Sequence, residues 1–372
     1  MSADAVIGRL VLHPGATPSV TCERPMVGAA LLGRLTAGRR AVLLPDLLAS
    51  VFTLCADAQR STARRAVMAA LGLADSALDA RHDELAIALH QAREHLQRFA
   101  LDLPTLAPGG ATPGVAWLRD APVMALPAIT SGPGRQEMHD CAAALPGWLQ
   151  RRLFGMPVAE WLAAWHAERG AWLARWSARH DHPVAHWLAA VRDDALAIAW
   201  PCRALDPLSD GVPAWRELGA AIAGDAAFVE RPRWQGATAE TGPWARHGRI
   251  EAVLTAWDRL GARLADLAQV AIGARPALGA LTLARGEGIA WTEMSRGLLV
   301  HWVRLEAGDT DPDTARAERY HVLAPTEWNF HPEGAFARAL GGPAIGAPRI
   351  ALAAVALDPC LAFKIESEAQ HA

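Results

Sequence analysis

The sequence has few cysteines, a single tyrosine and no long apolar run among its 372 residues. Five cysteines are an odd number and too few for a disulfide framework in a chain of this size, which favours a reducing compartment such as the cytoplasm. The chain has no run of about 18 consecutive apolar residues, the length that a membrane-spanning helix needs, and the N-terminus lacks the basic and apolar regions of a secretion signal. We therefore expect a cytoplasmic protein that does not insert into a membrane.

An excess of charge of one sign is also missing. Lys and Arg number 36 against 39 Asp and Glu, a formal net charge of −3, so there is no basic surface of the kind that nucleic acids require. The motifs GxGxxG, GxxxxGK[ST], GxSxG, HExxH and CxxC are absent as well, which excludes the common nucleotide, hydrolase and zinc chemistries. With 52% apolar residues, the chain does have ample material for a core.

Helical spacing of apolar residues dominates the first two thirds of the chain. The predicted helices cover residues 26–37, 45–71, 83–103, 136–153, 157–179, 183–199 and 247–274. In the fifth of these, tryptophans recur at positions 161, 165, 172 and 176, a spacing more typical of a packed core stripe than of a cofactor-stacking surface.

Short β-rich runs follow Gly279, at 281–284, 298–305 and 320–323, and predict an antiparallel sheet. The Pro- and Gly-rich segment 101–134 predicts an irregular connection within one domain. We expect a mainly α fold with a smaller β part (α+β), organised as a single domain over residues 1–372.

Two patterns in this sequence could ligate a metal. His180, His182 and His186 are spaced closely enough to converge on one ion, but they lie in a turn between two predicted helices, which favours helix capping. The apolar run 350–357 predicts a buried strand that delivers Asp358 and Cys360 at its end. Such a cysteine can bind a soft metal or simply fill apolar space, and the pattern alone leaves both open.

Four passages, taken in order, carry a family resemblance. LCADAQRSTARRAVMAAL (54–71) is similar to a metal motif of the form CGxCxxxH, and TGPWAR (241–246) is similar to a GPLAR segment. GEGIAWTEMSRGLLVHWVRLE (286–306) and YHVLAPTEWNFHP (320–332) resemble a stretch with EAPRG, GHW and PTTWN. DPCLAF (358–363) matches the start of DPCxxCxxH. Together they resemble the large subunit of nickel-iron hydrogenases and, within that family, the HupK type of hydrogenase expression and formation protein.

The departures from these motifs are as informative as the matches. Cys55 and Cys360 fill the first position of the two cysteine motifs. The other motif positions are occupied by Ala58, Thr62, Phe363 and Glu366, and Ile7 in VIGRL (6–10) stands at the position of a family glutamate. In the catalytic family the second cysteines bridge nickel and iron, so the resemblance implies that this chain is not an enzyme.

The resemblance implies a shortened form of the large-subunit helical core, in which Cys55 and Cys360 meet at a buried site. Two thiolates can hold one metal, and the expected cargo is iron carrying cyanide and carbonyl; nickel binding stays open. Arg296 is expected to contact this group, with Asp358 and Glu293 nearby.

The function that follows is a scaffold or chaperone that passes the iron centre to the hydrogenase large-subunit precursor, with maturation factors as further partners. A metal-free module that recruits those factors or hydrogenase subunits is the alternative. A degenerate redox enzyme is a third possibility, disfavoured because no cysteine set for iron-sulfur clusters exists. The end KIESEAQHA has neither the final histidine nor an extension, so cleavage during maturation is not expected.

Several other residues have simpler interpretations. Arg246 and Glu293 could form a buried ion pair or contact the site, and Asn329 is expected to bond backbone at a turn. Cys22, Cys141 and Cys202 lie outside the motifs and are expected to be structural, with Cys22 exposed enough to be oxidised.

Overall fold

The computed structural model describes residues 8–23, 29–73, 77–106, 114–126, 134–246, 251–341 and 346–366. Its α-helices, numbered in chain order, are α1 Ala29–Thr36, α2 Leu44–Val51, α3 Ala56–Ala70, α4 Ala77–Gln97, α5 Leu103–Leu106, α6 Val115–Leu118, α7 Pro122–Ala125, α8 Arg135–Leu149, α9 Val158–Ser177, α10 Pro183–Ala197, α11 Pro207–Gly224, α12 Ala256–Ala271, α13 Pro325–Asn329, α14 Ala335–Ala339 and α15 Ala347–Leu357. The strands are β1 Arg9–His13, β2 Ser19–Glu23, β3 Ala199–Arg203, β4 Glu251–Thr255, β5 Leu278–Ala284, β6 Glu287–Met294, β7 Gly297–Leu305, β8 Ala317–Leu323 and β9 Ala362–Ile365.

The largest core lies among the long helices α4, α8, α9, α10, α12 and α15. The predicted tryptophan stripe on α9 belongs to it: Trp161, Trp165 and Trp176 are buried, and Trp161 stacks on Trp165 with ring centroids 6.3 Å apart. Trp172 is partly buried against the same core. Burial of rings on one face at helical spacing confirms packing as their role.

The predicted antiparallel sheet is present as β5-β6-β7-β8, each strand pairing with the next in the chain. Helix α3 packs across this sheet very closely, because Gly288 on β6 has no side chain: a Cβ there would lie 2.4 Å from the carbonyl oxygen of Ala66. This close approach places the N-terminus of α3 beside the turn that joins β6 to β7.

A second sheet joins the two ends of the chain. Strand β1 pairs antiparallel with β2 and parallel with β9, in the order β2-β1-β9. The register aligns Leu10 with Phe363 and Leu12 with Ile365. The C-terminal segment is therefore held by a strand near the N-terminus, which the sequence did not predict.

Three predicted elements were wrong in part. The helix predicted over 45–71 breaks at Phe52 into α2 and α3, joined by the 3-10 turn Thr53–Cys55. In the helix predicted over 247–274, the first residues that the structure describes form strand β4. Helix α12 begins only after Thr255, because the side chains of Thr255 and Asp258 form a reciprocal cap there.

The third error is the predicted strand at 350–357, which is helix α15. Short apolar runs fit a buried strand or a buried helix equally well, and here the alanines favour the helix.

The Pro- and Gly-rich segment 101–134 lies partly outside the described residues; its described parts contain the short helices α5, α6 and α7. Within the described part of the chain, no single helix is long and apolar enough to cross a bilayer. The pair Ala41–Val51 and Thr53–Ala70 meets the length and composition criteria only when taken together, and it is bent by 106°.

Candidate metal centre

Cys55 and Cys360, distant in sequence, line the same cavity. Arg296 from the β6–β7 turn and Thr326 from α13 also line it, and apolar side chains such as Phe52 form much of its wall. The space in and around the cavity, with the open solvent at its mouth counted, is about 950 Å³. The fold thus brings two thiols and a guanidinium from three distant segments to one place.

Cys55 ends the 3-10 turn and directly precedes α3, so the break at Phe52 sets its position. Its side chain is buried, and the Nε2 amide of Gln59, one helical turn later, donates to its Sγ at 3.5 Å. Burial, reinforced by the charge of Cys360, raises the pKa of the Cys55 thiol to about 12. Without a metal, Cys55 is therefore a protonated thiol at neutral pH.

Cys360 lies in the turn between α15 and β9 and is half-buried. Its Sγ lies 3.0 Å from the hydroxyl of Thr326, close enough for a hydrogen bond. Helix α15 ends at Asp358, which adopts a left-handed conformation with φ of 52°, and Pro359 prevents the helix from continuing. Helix termination, and not the end of a strand, presents this cysteine to the cavity.

Arg296 is buried between two carboxylates. Its Nη1 donates to Glu94 at 2.9 Å, and its Nε lies 3.4 Å from Asp358. Burial lowers the pKa of the guanidinium, but Glu94 and Asp358 outweigh that effect and hold it above its ordinary value. Arg296 therefore brings a permanent positive charge to the wall beside the two cysteines.

Asp358 is the centre of a buried cluster of arginines. Its carboxylate also lies 2.6 Å from Arg98 on the π-helical turn after α4 and 2.6 Å from Arg263 on α12. Burial raises its pKa, yet Arg263, Arg98 and Arg296 together hold that pKa well below its usual range. The ionised carboxylate thus ties the turn of Cys360 to the helical core.

Glu94 connects this cluster, through His90, to Asp57 in the first turn of α3. It accepts hydrogen bonds from Arg296 and from Ser295, and it lies 3.1 Å from His90, whose other ring nitrogen is 2.9 Å from Asp57. Burial raises the pKa of Glu94, but Arg296, His90 and Ser295 outweigh this effect and lower the pKa to about 2. A continuous polar chain therefore runs from Asp57, beside Cys55, to Asp358, beside Cys360.

Glu293, predicted to lie near the metal, faces a different cavity. Its carboxylate pairs with Arg246 at 2.9 Å, and Arg246 also contacts Asp266 and the carbonyl oxygen of Met294. The predicted ion pair between Arg246 and Glu293 is thus present. Because it anchors the end of β6, this pair supports the Arg296 turn from outside the cysteine cavity.

Asn329 makes the predicted backbone contacts: its amide donates to the carbonyl oxygen of Thr241 and accepts from the Thr241 amide, each at 2.9 Å. The residue ends helix α13, and its partner belongs to the distant TGPWAR segment. These bonds link two of the four motif passages.

The positions that lack the family's ligands have structural roles. Ala58 packs with Cys55, Met294 and Leu299 in a small apolar cluster. Thr62 is buried and bonds the Ala58 carbonyl oxygen and the hydroxyl of Thr292.

At the carboxyl end, Phe363 packs against the helical core from strand β9, and the Glu366 amide donates to the carbonyl oxygen of Leu12 in β1. Ile7 lies outside the described residues.

The other cysteines and the histidine cluster lie away from this cavity. Cys141 and Cys202 are buried, Cys22 is exposed, and none forms a disulfide. His182 caps α10, as expected, by accepting from the Ala185 amide. Across the described ranges, no group of three or more His, Cys, Asp or Glu side chains is arranged to hold a metal.

Sequence reasoning singled out Cys55, Cys360, Arg296 and Asp358, but it missed most of their partners. Those partners are Gln59, Glu94, Arg98, Arg263 and Thr326. Gln59 could have been found from its position four residues after Cys55 on a predicted helix. Thr326 lies within the quoted passage 320–332, whereas Glu94, Arg98 and Arg263 come from distant segments that no local pattern marks.

Comparison with known proteins gives consistent results. The chain is 36% identical over 384 residues to the hydrogenase expression/formation protein HoxV of Cupriavidus necator, covering 98% of this chain and 96% of HoxV. It is 32% identical to HupK of Rhizobium leguminosarum bv. viciae, covering 90% and 89% of the two chains. No protein-family model matches the chain.

The fold is shared with solved hydrogenase structures. The Ni-Fe-Se hydrogenase of D. vulgaris Hildenborough aligns with a TM-score of 0.53 and 17% identity, over 93% of this chain and 94% of that one. The [NiFeSe]-hydrogenase of Dm. baculatum aligns with a TM-score of 0.52 and 16% identity, over the same shares. The fold is therefore that of the hydrogenase large subunit, and by sequence the chain belongs to the family of hydrogenase expression/formation proteins that includes HoxV and HupK.

Proposed function

We propose that this protein is a non-catalytic scaffold in hydrogenase maturation, which transiently holds an iron carrying cyanide and carbonyl between Cys55 and Cys360. The observation that carries the proposal is the shared cavity: two cysteines far apart in sequence line it together with Arg296. The relatives are named as hydrogenase expression/formation proteins, which supports a role in maturation.

The side chains at the cavity suit such a cargo. Thiolate sulfur is a soft ligand, so it favours an iron that carries cyanide and carbonyl over hard ions that prefer oxygen ligands. Both thiols would lose their protons as the metal binds, and the positive charge of the bound metal would offset the cost of burying charged sulfur at Cys55. The guanidinium of Arg296 would donate hydrogen bonds to cyanide nitrogen and balance the negative charge of the complex.

The same arrangement argues against turnover of hydrogen by this chain. The second cysteine of each motif is replaced, by Ala58 in an apolar cluster and by Phe363 on β9. With one cysteine left in each motif, the chain lacks the four-sulfur set, two terminal and two bridging, that the resemblance gives to a nickel-iron pair. The cargo is therefore expected to leave for the large-subunit precursor, with maturation factors of the cytoplasm as donors.

The proposal is tested by anaerobic co-expression with the hydrogenase maturation machinery, followed by infrared spectroscopy of the purified protein. The parent and the control Cys141→Ser should show cyanide and carbonyl bands, whereas Cys55→Ser and Cys360→Ser should lose them. Purifying the hydrogenase large subunit from the same cells verifies that the iron centre was available.

Two results would contradict the proposal. Bands missing from the parent, when the large subunit from the same cells carries them, would exclude the cargo. Bands that persist when Cys55 and Cys360 are both replaced would exclude the site. Intact hydrogenase maturation with that double variant would favour a metal-free interaction module.

A further inference from the structure

A second cavity, remote in sequence from both cysteine motifs, has two arginines and two histidines in its lining. It lies where the π-helical turn Gln150–Phe154 meets the turn before α10. Arg151, Arg152, His180 and His182 line it, together with Trp117. We refer to it as the basic cavity. Two histidines of the cluster at 180–186, His180 and His182, line this cavity, and the proposed scaffold role does not explain them.

Negative charge at the basic cavity is sparse. Asp181 also lines it, but its side chain is 99% exposed and its carboxylate pairs with His186 at 2.9 Å. Asp120 lies 3.9 Å from Arg152, too far for a hydrogen bond. Two permanently charged guanidinium groups therefore share the cavity with one solvated carboxylate that already has a partner.

Hydrogen-bond donors remain available there. Arg151 forms no hydrogen bond or ion pair with any other described residue, and Arg152 uses one of its five N–H groups, on the Trp117 carbonyl oxygen at 3.2 Å. His180 contacts the Trp176 ring and has no hydrogen bond within the described ranges.

His182, in contrast, has no free ring nitrogen. Its Nε2 donates to the Leu153 carbonyl oxygen at 2.9 Å, and its Nδ1 accepts from the Ala185 amide. It stacks on Trp117 with ring centroids 5.6 Å apart, so these two rings form a fixed wall. Arg151, Arg152 and His180 are the groups that can bind a ligand.

The position of His180 depends on a glycine. Gly155 ends the π-helical turn with a φ of +69°, and a Cβ at that position would lie 2.2 Å from Cε1 of His180. Only glycine combines this backbone conformation with the close approach of the ring. The backbone is thus shaped to bring His180 beside the two arginines.

We propose that the basic cavity binds a phosphate group. A tetrahedral oxyanion accepts hydrogen bonds from several directions at once, which suits a cavity lined by two guanidinium groups of one segment and an imidazole of another. The group can be free phosphate or the headgroup of an anionic lipid, since both present the same chemistry. This site is independent of the iron scaffold role.

The test measures binding of inorganic phosphate to the full chain by calorimetry, with acetate as a comparison anion. NMR of His180 provides a local readout, because a bound phosphate should raise the pKa of that ring, which burial now holds below its usual value. Arg151→Gln should weaken phosphate binding about tenfold or more. The matched control Arg175→Gln changes an exposed arginine that is paired with Glu168, and it should bind like the parent.

Vesicles containing phosphatidic acid form the second arm of the test. If the protein binds inorganic phosphate and Arg151→Gln weakens that binding, the ligand is free phosphate. If the protein binds only the vesicles, and Arg151→Gln weakens that binding, the ligand is the lipid headgroup. Absence of both, or equal binding by the Arg151→Gln variant and the parent, would overturn the proposal. Because Arg151 is exposed, its replacement should leave the fold intact, which thermal unfolding verifies.

Discussion

At the scale of single residues, the candidate metal centre is supported by buried charges and not only by apolar packing. Asp358, Glu94 and Arg296 are all nearly inaccessible to solvent, yet each has an oppositely charged partner. Removing one member of such a cluster leaves another charge buried without compensation, which typically costs about 3 to 5 kcal/mol. The cluster therefore restricts where Cys360 and Arg296 can lie relative to the helices.

His90 gives this network a testable pH dependence. Burial lowers the pKa of the ring, but Asp57 and Glu94 outweigh it and raise the pKa to about 9 from an ordinary 6.5. A raised pKa in the folded state stabilises the fold fully below pH 6.5, and the contribution is lost as pH rises through 9. Denaturant unfolding should thus show the parent losing up to about 3 kcal/mol over this window.

The His90→Gln variant is the control for that measurement, because it keeps a polar side chain but cannot titrate. Its free energy of unfolding should be lower than that of the parent at pH 6 and should change less with pH. Parallel pH profiles for the two proteins would show that folding does not raise the pKa of His90.

Residues such as Cys55, Cys360, Arg296 and Asp358 could be predicted because each lies in a short motif whose spacing is visible in the chain. Glu94, Arg98 and Arg263 could not, since charged residues on amphipathic helices normally face solvent. Only the tertiary fold shows that these three face a buried carboxylate or guanidinium. Glu293 lines a different cavity because side chains alternate along β6: its neighbour Met294 lines the cysteine cavity, whereas Glu293 points to the other side and pairs with Arg246.

At the scale of elements, the contact between α3 and β6 positions Cys55. Helix α3 begins directly after this cysteine, and its C-terminal part, from Ala66 to Ala70, packs on Gly288. The helix was predicted from its apolar spacing, but its break at Phe52 was not, because no proline or glycine marks that residue. The break follows from tertiary packing that the sequence pattern does not encode.

Gly288→Ala should destabilise the protein by about 2 to 3 kcal/mol, because the added methyl would collide with helix backbone that cannot move aside. Its Cβ would lie 2.4 Å from the Ala66 carbonyl oxygen and 2.6 Å from the Ala70 amide nitrogen. Urea unfolding measures the difference.

The matched control for this prediction is Gly33→Ala in α1, where a Cβ would meet nothing within 4 Å. Helix propensity should make that change neutral or stabilising by up to about 1 kcal/mol. If the two alanine variants were equally stable, the close packing of α3 on β6 would be refuted.

At the scale of the whole molecule, the site depends on the pairing of segments from both ends of the chain. Cys360 lies two residues before β9, and β9 is held by its parallel register with β1. Parallel strands joined across nearly the entire chain form only when the intervening helices are in place. The cavity is therefore a product of complete folding, which is why the sequence motifs pointed to its two cysteines and Arg296 but not to its architecture.

Deleting residues 362–372 tests this dependence, with deletion of 367–372 as the control that retains β9. Loss of β9 removes Phe363 and Ile365 from the edge of the helical core, and should lower the free energy of unfolding by about 2 to 4 kcal/mol.

The same pair of deletions should change the chemistry of Cys360. In the parent and the control, iodoacetamide should modify half-buried Cys360 faster than buried Cys55, whose raised pKa of about 12 leaves little thiolate. Without β9 the turn of Cys360 keeps its contacts through Asp358 and Thr326 but loses the strand that follows it. Its alkylation, followed by mass spectrometry, should accelerate further while Cys202 in the core stays unreacted. Equal stability and equal Cys360 reactivity in the two deletions would mean that the pairing of β1 with β9 does not hold the site together.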